Sequence, residues 1–363
     1  MSNEREVSIS ITDLDRELIA RGAQSLAGKG FHFKDKEGTP QRTEIFSQVE
    51  ALYHPSNVPP LNPDLSHLTE EVLLEKIRQI IEESRLDLKK GIWGIDDRLE
   101  PFDITDDRVR RNVRSTAAVC EKNDLLDTGD GFCEVRVKKY GETYNLCSCE
   151  RFFDQPAAAC FMCTGVLVAA DVVATAAHFV DKYNVKKMCF LFGYIMAGPG
   201  KAVTRVPAEN VYHGIKILDW RYDVRGPNAT DSDWTFVRLD RKVQGQEIAK
   251  LSKQPVFNGQ PLYVIGYPCG LPLKYAPGGM VQRIEKSYFL SELDLFSGNS
   301  GSPCFCAETH EMIGIVSRTD SRDFRLVDDC FVTVVYPKDG FPSHGSRIIK
   351  VSEFNEYYKQ NRR

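Results

Sequence analysis

Gly298-Asn299-Ser300-Gly301-Ser302-Pro303 is the stretch on which the reading of this 363-residue chain turns. Small residues flank Ser300 on both sides, so the backbone can turn tightly and leave the hydroxyl exposed. A serine held there beside unobstructed amides is placed for nucleophilic attack on a carbonyl. The amides of Gly298 and Ser300 can donate to the oxyanion that develops in a tetrahedral transition state. The same string also occurs in structural turns, so it decides nothing without companions.

Two companions lie upstream. Thr175-Ala176-Ala177-His178 closes an apolar run, 166–170 and 172–174, that reads as two short strands. Asp233-Trp234-Thr235-Phe236-Val237-Arg238-Leu239 alternates like a strand between two packed surfaces, with Asp233 at its mouth. Each is weak alone, since a histidine ending a buried strand is often a core residue and an aspartate at a strand start often closes a turn. Together with Ser300 they resemble the trypsin/chymotrypsin-like serine protease family. The order is His, Asp, Ser, and the flanks are similar to the family's TAAH, D-x-T strand and G-[DN]-S-G-x-P. The resemblance covers about residues 110–350. It implies His178, Asp233 and Ser300 as a catalytic triad, the Gly298 and Ser300 amides as oxyanion hole, and a serine endopeptidase needing no metal or organic cofactor.

Departures from the secreted members carry information too. Their residue before the nucleophile is an aspartate that pairs with a new N-terminal ammonium. Here it is uncharged Asn299, beside which a buried ammonium would lack an anion, so activation by that route is not expected. Asparagine there resembles the bacterial glutamyl-endopeptidase branch and its cytosolic relatives. The cysteines number 11. Cys163 stands where secreted members carry a half-cystine, but the partner position is Phe179, and Phe296 occupies another position near the nucleophile that is often a half-cystine. The N-terminal Met-Ser-Asn-Glu lacks an apolar signal region, and no apolar stretch reaches the roughly 18 residues of a membrane span. These features imply a reducing cytoplasm, with cysteines serving as small buried hydrophobes. A zinc site from Cys147, Cys149, Cys160 and Cys163 is a weaker reading, because only one pair has a familiar ligand spacing.

The resemblance also implies specificity. Asp294, six residues before Ser300, stands at the floor of the primary pocket and would favour lysine or arginine. If this loop takes another path, Asp294 lies in a turn or is solvated. Ser317 would lie on the edge, 317–319, that pairs with the substrate backbone as an added strand. Arg318 could recruit acidic substrate residues. The histidine that glutamyl endopeptidases use in the strand opposite has no counterpart in 314–318.

The remainder fits a soluble protein with an added segment. Hydrophobic residues make up 42% and charged residues 27% of the chain, and its net charge is −4, which argues against a nucleic-acid-binding protein. Residues 1–95 read as a partly helical docking or regulatory extension. One helix spans about 13–26 and a second starts at Thr69 and stops at Gly91, with a Pro55-to-Pro63 connector between them. From about 115 the pattern becomes short strands separated by Gly, Pro and Asp turns, which suits a mainly β pair of antiparallel barrels. His178 and Asp233 then belong to the first barrel and Ser300 to the second, within a protease region 110–350. Asp127-Thr128-Gly129-Asp130-Gly131 reads as a hairpin turn rather than a calcium loop. Residues 351–363 form a C-terminal tail with a short helix at 352–360, docking through Phe354 and Tyr358. The expected partners are a protein or peptide substrate and a regulatory protein on the extension, within a bacterial stress or defence system, with no membrane. The readings from other classes are a catalytically silent binding module and an esterase.

Overall fold

Alternation along Ser232–Leu239 sets the architecture. Val237 and Leu239 turn into one apolar cluster with Val119, Leu167, Val173, Phe190 and Tyr212. Trp234 and Phe236 turn the other way, into a second cluster with Tyr263, Ile265, Phe305 and Ile349. Strand Pro261–Gly266 repeats the pattern, sending Leu262 and Val264 into a third cluster and Tyr263 and Ile265 into the shared one. A period of two with both faces apolar is what a barrel strand needs when its outside packs on a neighbouring barrel.

In this computed structural model the described residues are 91–158, 160, 163–224, 230–317, 323–336 and 346–354, with the short strands Glu6–Ser8 and His32–Lys34. The chain divides into two units, Met1–Leu88 and Lys89–Arg363. In the first, Glu6–Ser8 pairs in parallel with His32–Lys34. The helices expected over 13–26 and from Thr69, and the proline connector, lie outside the described residues.

The second unit holds two closed barrels of six strands each. Around the first run Val172–Thr175, Ser232–Leu239, Val211–Asp223, Met188–Leu191, Thr116–Glu121 and Cys163–Ala169. Around the second run Pro261–Gly266, Lys274–Ile284, Tyr288–Ser291, Ser346–Lys350, Met312–Val316 and Pro303–Cys306. All of these neighbours pair antiparallel. The mainly β double barrel is therefore what forms. Leu125–Asp127 and Phe132–Val135 make the hairpin expected around Gly129 and Gly131. No helix among the described residues is long and apolar enough to cross a membrane.

Three expectations need correction or fall short. At the C-terminus, Val351–Glu353 is a 3-10 turn, and residues 355–360 of the helix expected over 352–360 lie outside the described residues. Phe354 docks there as expected, against Trp234 and Phe236; Tyr358 lies outside the described residues. Cysteines are not all apolar filler. Cys147 and Cys330, 183 residues apart, form a disulfide, and Cys149 is exposed. The pairing arises because hairpin 324–333 crosses the 140–150 loop, with Cys147 N donating to Phe331 O at 2.9 Å. It removes Cys147 from the zinc reading, while Cys163 is buried in a barrel strand with its thiol pushed up to about 12 by burial. Helix Asp107–Arg114, capped by the Asp106 carboxylate accepting from Arg108 N, was not anticipated. Its arginines mask an apolar stripe reduced to Val109 and Val113.

Candidate active site

Asp233 is the second residue of its strand and is buried, its side chain 1% exposed. Burial alone would raise its pKa. Hydrogen bonds and charge from His178 and a bond from Ser317 outweigh that, and hold the carboxyl below the usual carboxylate range. Oδ1 accepts from His178 N at 3.0 Å, and Oδ2 lies 2.6 Å from His178 Nδ1. The Ser317 hydroxyl donates to the same Oδ2 at 2.6 Å. With the carboxylate ionised, Nδ1 carries the proton and Nε2 is left as the basic nitrogen. The ring itself is 22% exposed and rests against Phe179.

Ser300 reaches this place from the second barrel through a turn that only glycines allow. Gly298 and Gly301 have φ of +88° and +80°. A Cβ on Gly298 would sit 2.4 Å from Tyr267 O, and one on Gly301 only 2.1 Å from Thr164 O, 2.4 Å from Thr175 Oγ1 and 3.0 Å from Ala176 N. The Ser300-Gly301 backbone thus packs directly on the Thr175-Ala176 segment that carries His178. Thr164 ties the turn down on its other side. Its N donates to Ser300 O and its hydroxyl to Gly298 O, both at 2.8 Å. Among the described residues the amides of Gly298 and Ser300 donate to no partner, whereas Asn299 N is used by Phe296 O. Asn299 is buried and accepts from the Ser302 hydroxyl. Ser300 Oγ and His178 Nε2 are not hydrogen-bonded to each other. The arrangement offers a serine, a base oriented by a buried carboxylate, and two backbone amides with no acceptor among the described residues.

The trypsin-like peptidase domain profile matches residues 163–315, a span that holds His178, Asp233 and Ser300. Residues 163–315 belong to the trypsin-like peptidase domain family. The chain is also similar to a glutamyl endopeptidase solved in complex with MPD, at 14% identity over 74% of this chain and 97% of that one, with a TM-score of 0.42. It is similar to an inactive serine-to-alanine mutant of Rv3671c from M. tuberculosis at 12% identity, over 70% and 91% of the two chains, with a TM-score of 0.40. No curated protein matches the chain.

The residues expected to set specificity sit less simply. Asp294 is buried, its Oδ1 accepting from Trp93 N at 2.8 Å and its Oδ2 without a hydrogen bond among the described residues. Burial pushes this carboxyl up to about 7, opposed by the Trp93 bond and the nearby Arg98 charge. An arm of residues 91–100 covers it. Gly91 N donates to Leu295 O, and Leu99 exchanges two bonds with Tyr275. Arg98, gripped by both carboxylate oxygens of Asp96, lies over Phe296 at 4.3 Å and Phe152 at 5.1 Å. Ser317 orients Asp233 and donates its own N–H to Arg347 O, so this residue of the expected substrate edge is already engaged. Arg318 lies outside the described residues.

Several supports had no signal in the sequence. Besides Thr164, Asp323 holds the turn, its two carboxylate oxygens each 3.1 Å from Ser297 N. Lys274 is buried beside the arm, donating to Glu100 Oε2 at 3.0 Å, Gln155 Oε1 at 2.9 Å and Pro272 O at 2.8 Å. Burial pulls its amine down to about 8. Among the described residues no group of three or more His, Cys, Asp or Glu side chains is arranged to hold a metal.

Proposed function

We propose that the chain is a serine endopeptidase acting through Ser300, His178 and Asp233 and an acyl-enzyme. The observation that carries this is the buried Asp233 carboxylate fixing the His178 tautomer at 2.6 Å, beside the Ser300 turn. Ser300 Oγ attacks the peptide carbonyl while His178 Nε2 takes its proton. The imidazolium then protonates the departing amine, and a water deprotonated by the same nitrogen releases the acyl group. Asp233 stabilises the imidazolium and stays ionised. The free amides of Gly298 and Ser300 receive the oxyanion, each worth roughly 10²–10³ in rate. The Ser300–His178 hydrogen bond forms as substrate fills the site, since catalytic bonds often tighten only in the complex.

For specificity we keep the proposal that Asp294 favours lysine or arginine before the scissile bond and that Arg318 attracts acidic residues nearby; the burial of Asp294 against Trp93 N weighs against the first of these. Residues 1–95 serve as a docking or regulatory surface for a partner in the bacterial cytoplasm, 110–350 as the protease region and 351–363 as the tail. Turnover of a peptide library, set against Ser300→Ala, tests the reading. Cleavage abolished by the substitution and concentrated after basic residues is expected. Cleavage after acidic or aromatic residues only would remove Asp294 from the account, and no cleavage or labelling by the unmodified chain would favour a silent binding module.

A further inference from the structure

Strand Val211–Asp223 runs past the end of one of its neighbours. On one edge its residues 211–213 pair with 189–191; on the other, 214–223 pair with Ser232–Leu239. The first edge is therefore open from residue 215. Apart from the pairing with Ser232–Leu239, the backbone of 215–221 makes no backbone hydrogen bond among the described residues. Trp220 N donates instead to the carboxylate of its own neighbour, Asp219 Oδ1, at 2.9 Å. Asp219 Oδ2 is buried without a hydrogen bond among the described residues. The Trp220 side chain is 45% exposed, and Arg221 is exposed with its nearest carboxylate, Asp223, 4.0 Å away. An open edge whose donor is covered only by a side chain is a template for one more strand.

We infer that the added strand is the same segment of a second copy, antiparallel and centred on Trp220, so that the chain forms a two-fold dimer. The charges select both occupant and register. About an axis at Trp220, Asp219 lies opposite Arg221 of the second copy, and Arg221 opposite its Asp219. One contact thus makes two opposite-charge pairs. Moving the axis one residue back sets Asp219 against Asp219. Moving it one residue forward sets Arg221 against Arg221 and Asp219 against Asp223, and like charges directly opposite are destabilising. The backbone agrees with the central register. Trp220 N–H exchanges its side-chain acceptor for Trp220 O of the second copy, and the reverse bond forms with it. The released Asp219 carboxylate takes the guanidinium opposite, which gives its unused oxygen a donor. The two indoles cover each other across the axis and bury apolar surface that one copy leaves in water. The other strand of this hairpin carries Asp233, opposite Tyr222. A third strand braces that ribbon, since a two-stranded hairpin alone is marginally stable.

The test is the oligomeric state of the full chain and needs no peptidase activity. Sedimentation velocity over a concentration series should show a species of twice the single-chain mass. Asp219→Arg and Arg221→Asp, each counted twice by the symmetry, should each weaken the dimer roughly tenfold or more. The double swap Asp219→Arg with Arg221→Asp should return it to near the wild-type strength. Amide hydrogen exchange over 215–221 should slow in the unmodified chain as its concentration rises. Circular dichroism separates loss of folding from dissociation, and where a single swap unfolds, the exchange data on the unmodified chain decide. An unmodified chain that stays single at every concentration would overturn the inference. So would a dimer indifferent to both single swaps, a folded double swap that stays dissociated, or exchange at 215–221 that slows only when a different protein is added.

Discussion

Replacing Asp233 by asparagine tests how the base is oriented. The carboxylate accepts three hydrogen bonds, one on Oδ1 from His178 N and two on Oδ2 from His178 Nδ1 and the Ser317 hydroxyl. An amide offers one oxygen and one NH₂. If the NH₂ took the Oδ1 place it would face the His178 backbone N–H, donor against donor, so the oxygen goes there. The NH₂ then stands where Oδ2 was and donates to Nδ1. That forces the imidazole proton onto Nε2, where it faces Ser300 and cannot accept the serine proton. The expected loss is about 10⁴-fold in kcat, or roughly 5.5 kcal/mol of transition-state stabilisation. Ser317→Ala keeps the charge and the tautomer and removes one bond to a charged group, about 1.5–3 kcal/mol, so its loss should be two or more orders smaller than that of Asp233→Asn. The assay is kcat/KM on a peptide substrate from pH 4 to 9, with circular dichroism to confirm folding. Because the folded Asp233 pKa is depressed, the stability it contributes is present above the ordinary value of 3.8 and is lost only as pH falls through the lower folded value. Wild-type protein should therefore keep the Asp233 carboxylate ionised across the assay range. A folded Asp233→Asn enzyme within tenfold of wild type would refute the reasoning.

Three more predictions concern the supports. Lys274→Met should cost about 3–5 kcal/mol in thermal or denaturant unfolding by leaving Glu100 buried without its cation, and adding Glu100→Gln should recover most of it. Since Lys274 gives up its proton near 8 when folded and near 10.5 when unfolded, wild-type stability should rise with pH between those values. Asp294→Asn keeps the acceptor for Trp93 N and removes a carboxyl whose favourable contribution is lost as pH rises through about 7; its Tm should exceed wild type at pH 8 by more than at pH 5. Gly301→Ala should abolish active-site labelling, because the new methyl meets Thr164 O at 2.1 Å. Gly200→Ala, at φ +67° with nothing within 4 Å, should leave labelling intact and cost only the left-handed strain, about 1–2 kcal/mol.

The double barrel was legible because its strands alternate so plainly. Residues 233–239 announce two packed faces before any coordinate is known. The nucleophile turn was legible because φ values near +80° demand glycine at 298 and 301. Thr164, Ser317 and Asp323 were not, since a threonine, a serine and an aspartate are ordinary in strands and turns, and their roles come from partners 84 to 134 residues away or, for Asp323, a loop 26 residues off. Nothing in the sequence marks Lys274 and Arg98 as buried, because burial of a cation depends on partners that composition does not reveal. The Cys147–Cys330 pairing was hidden for the same reason, and strand Val211–Asp223 because its outer half is half-exposed or exposed and carries little apolar signal.

The central claim is that Ser300 is a nucleophile activated by His178. A fluorophosphonate probe on the full chain, followed by peptide mapping, measures it directly. One adduct per chain on Ser300, absent in Ser300→Ala and strongly slowed in His178→Ala, is the predicted result. Labelling that persists undiminished in Ser300→Ala, or peptide cleavage by that variant at the wild-type rate, would contradict it.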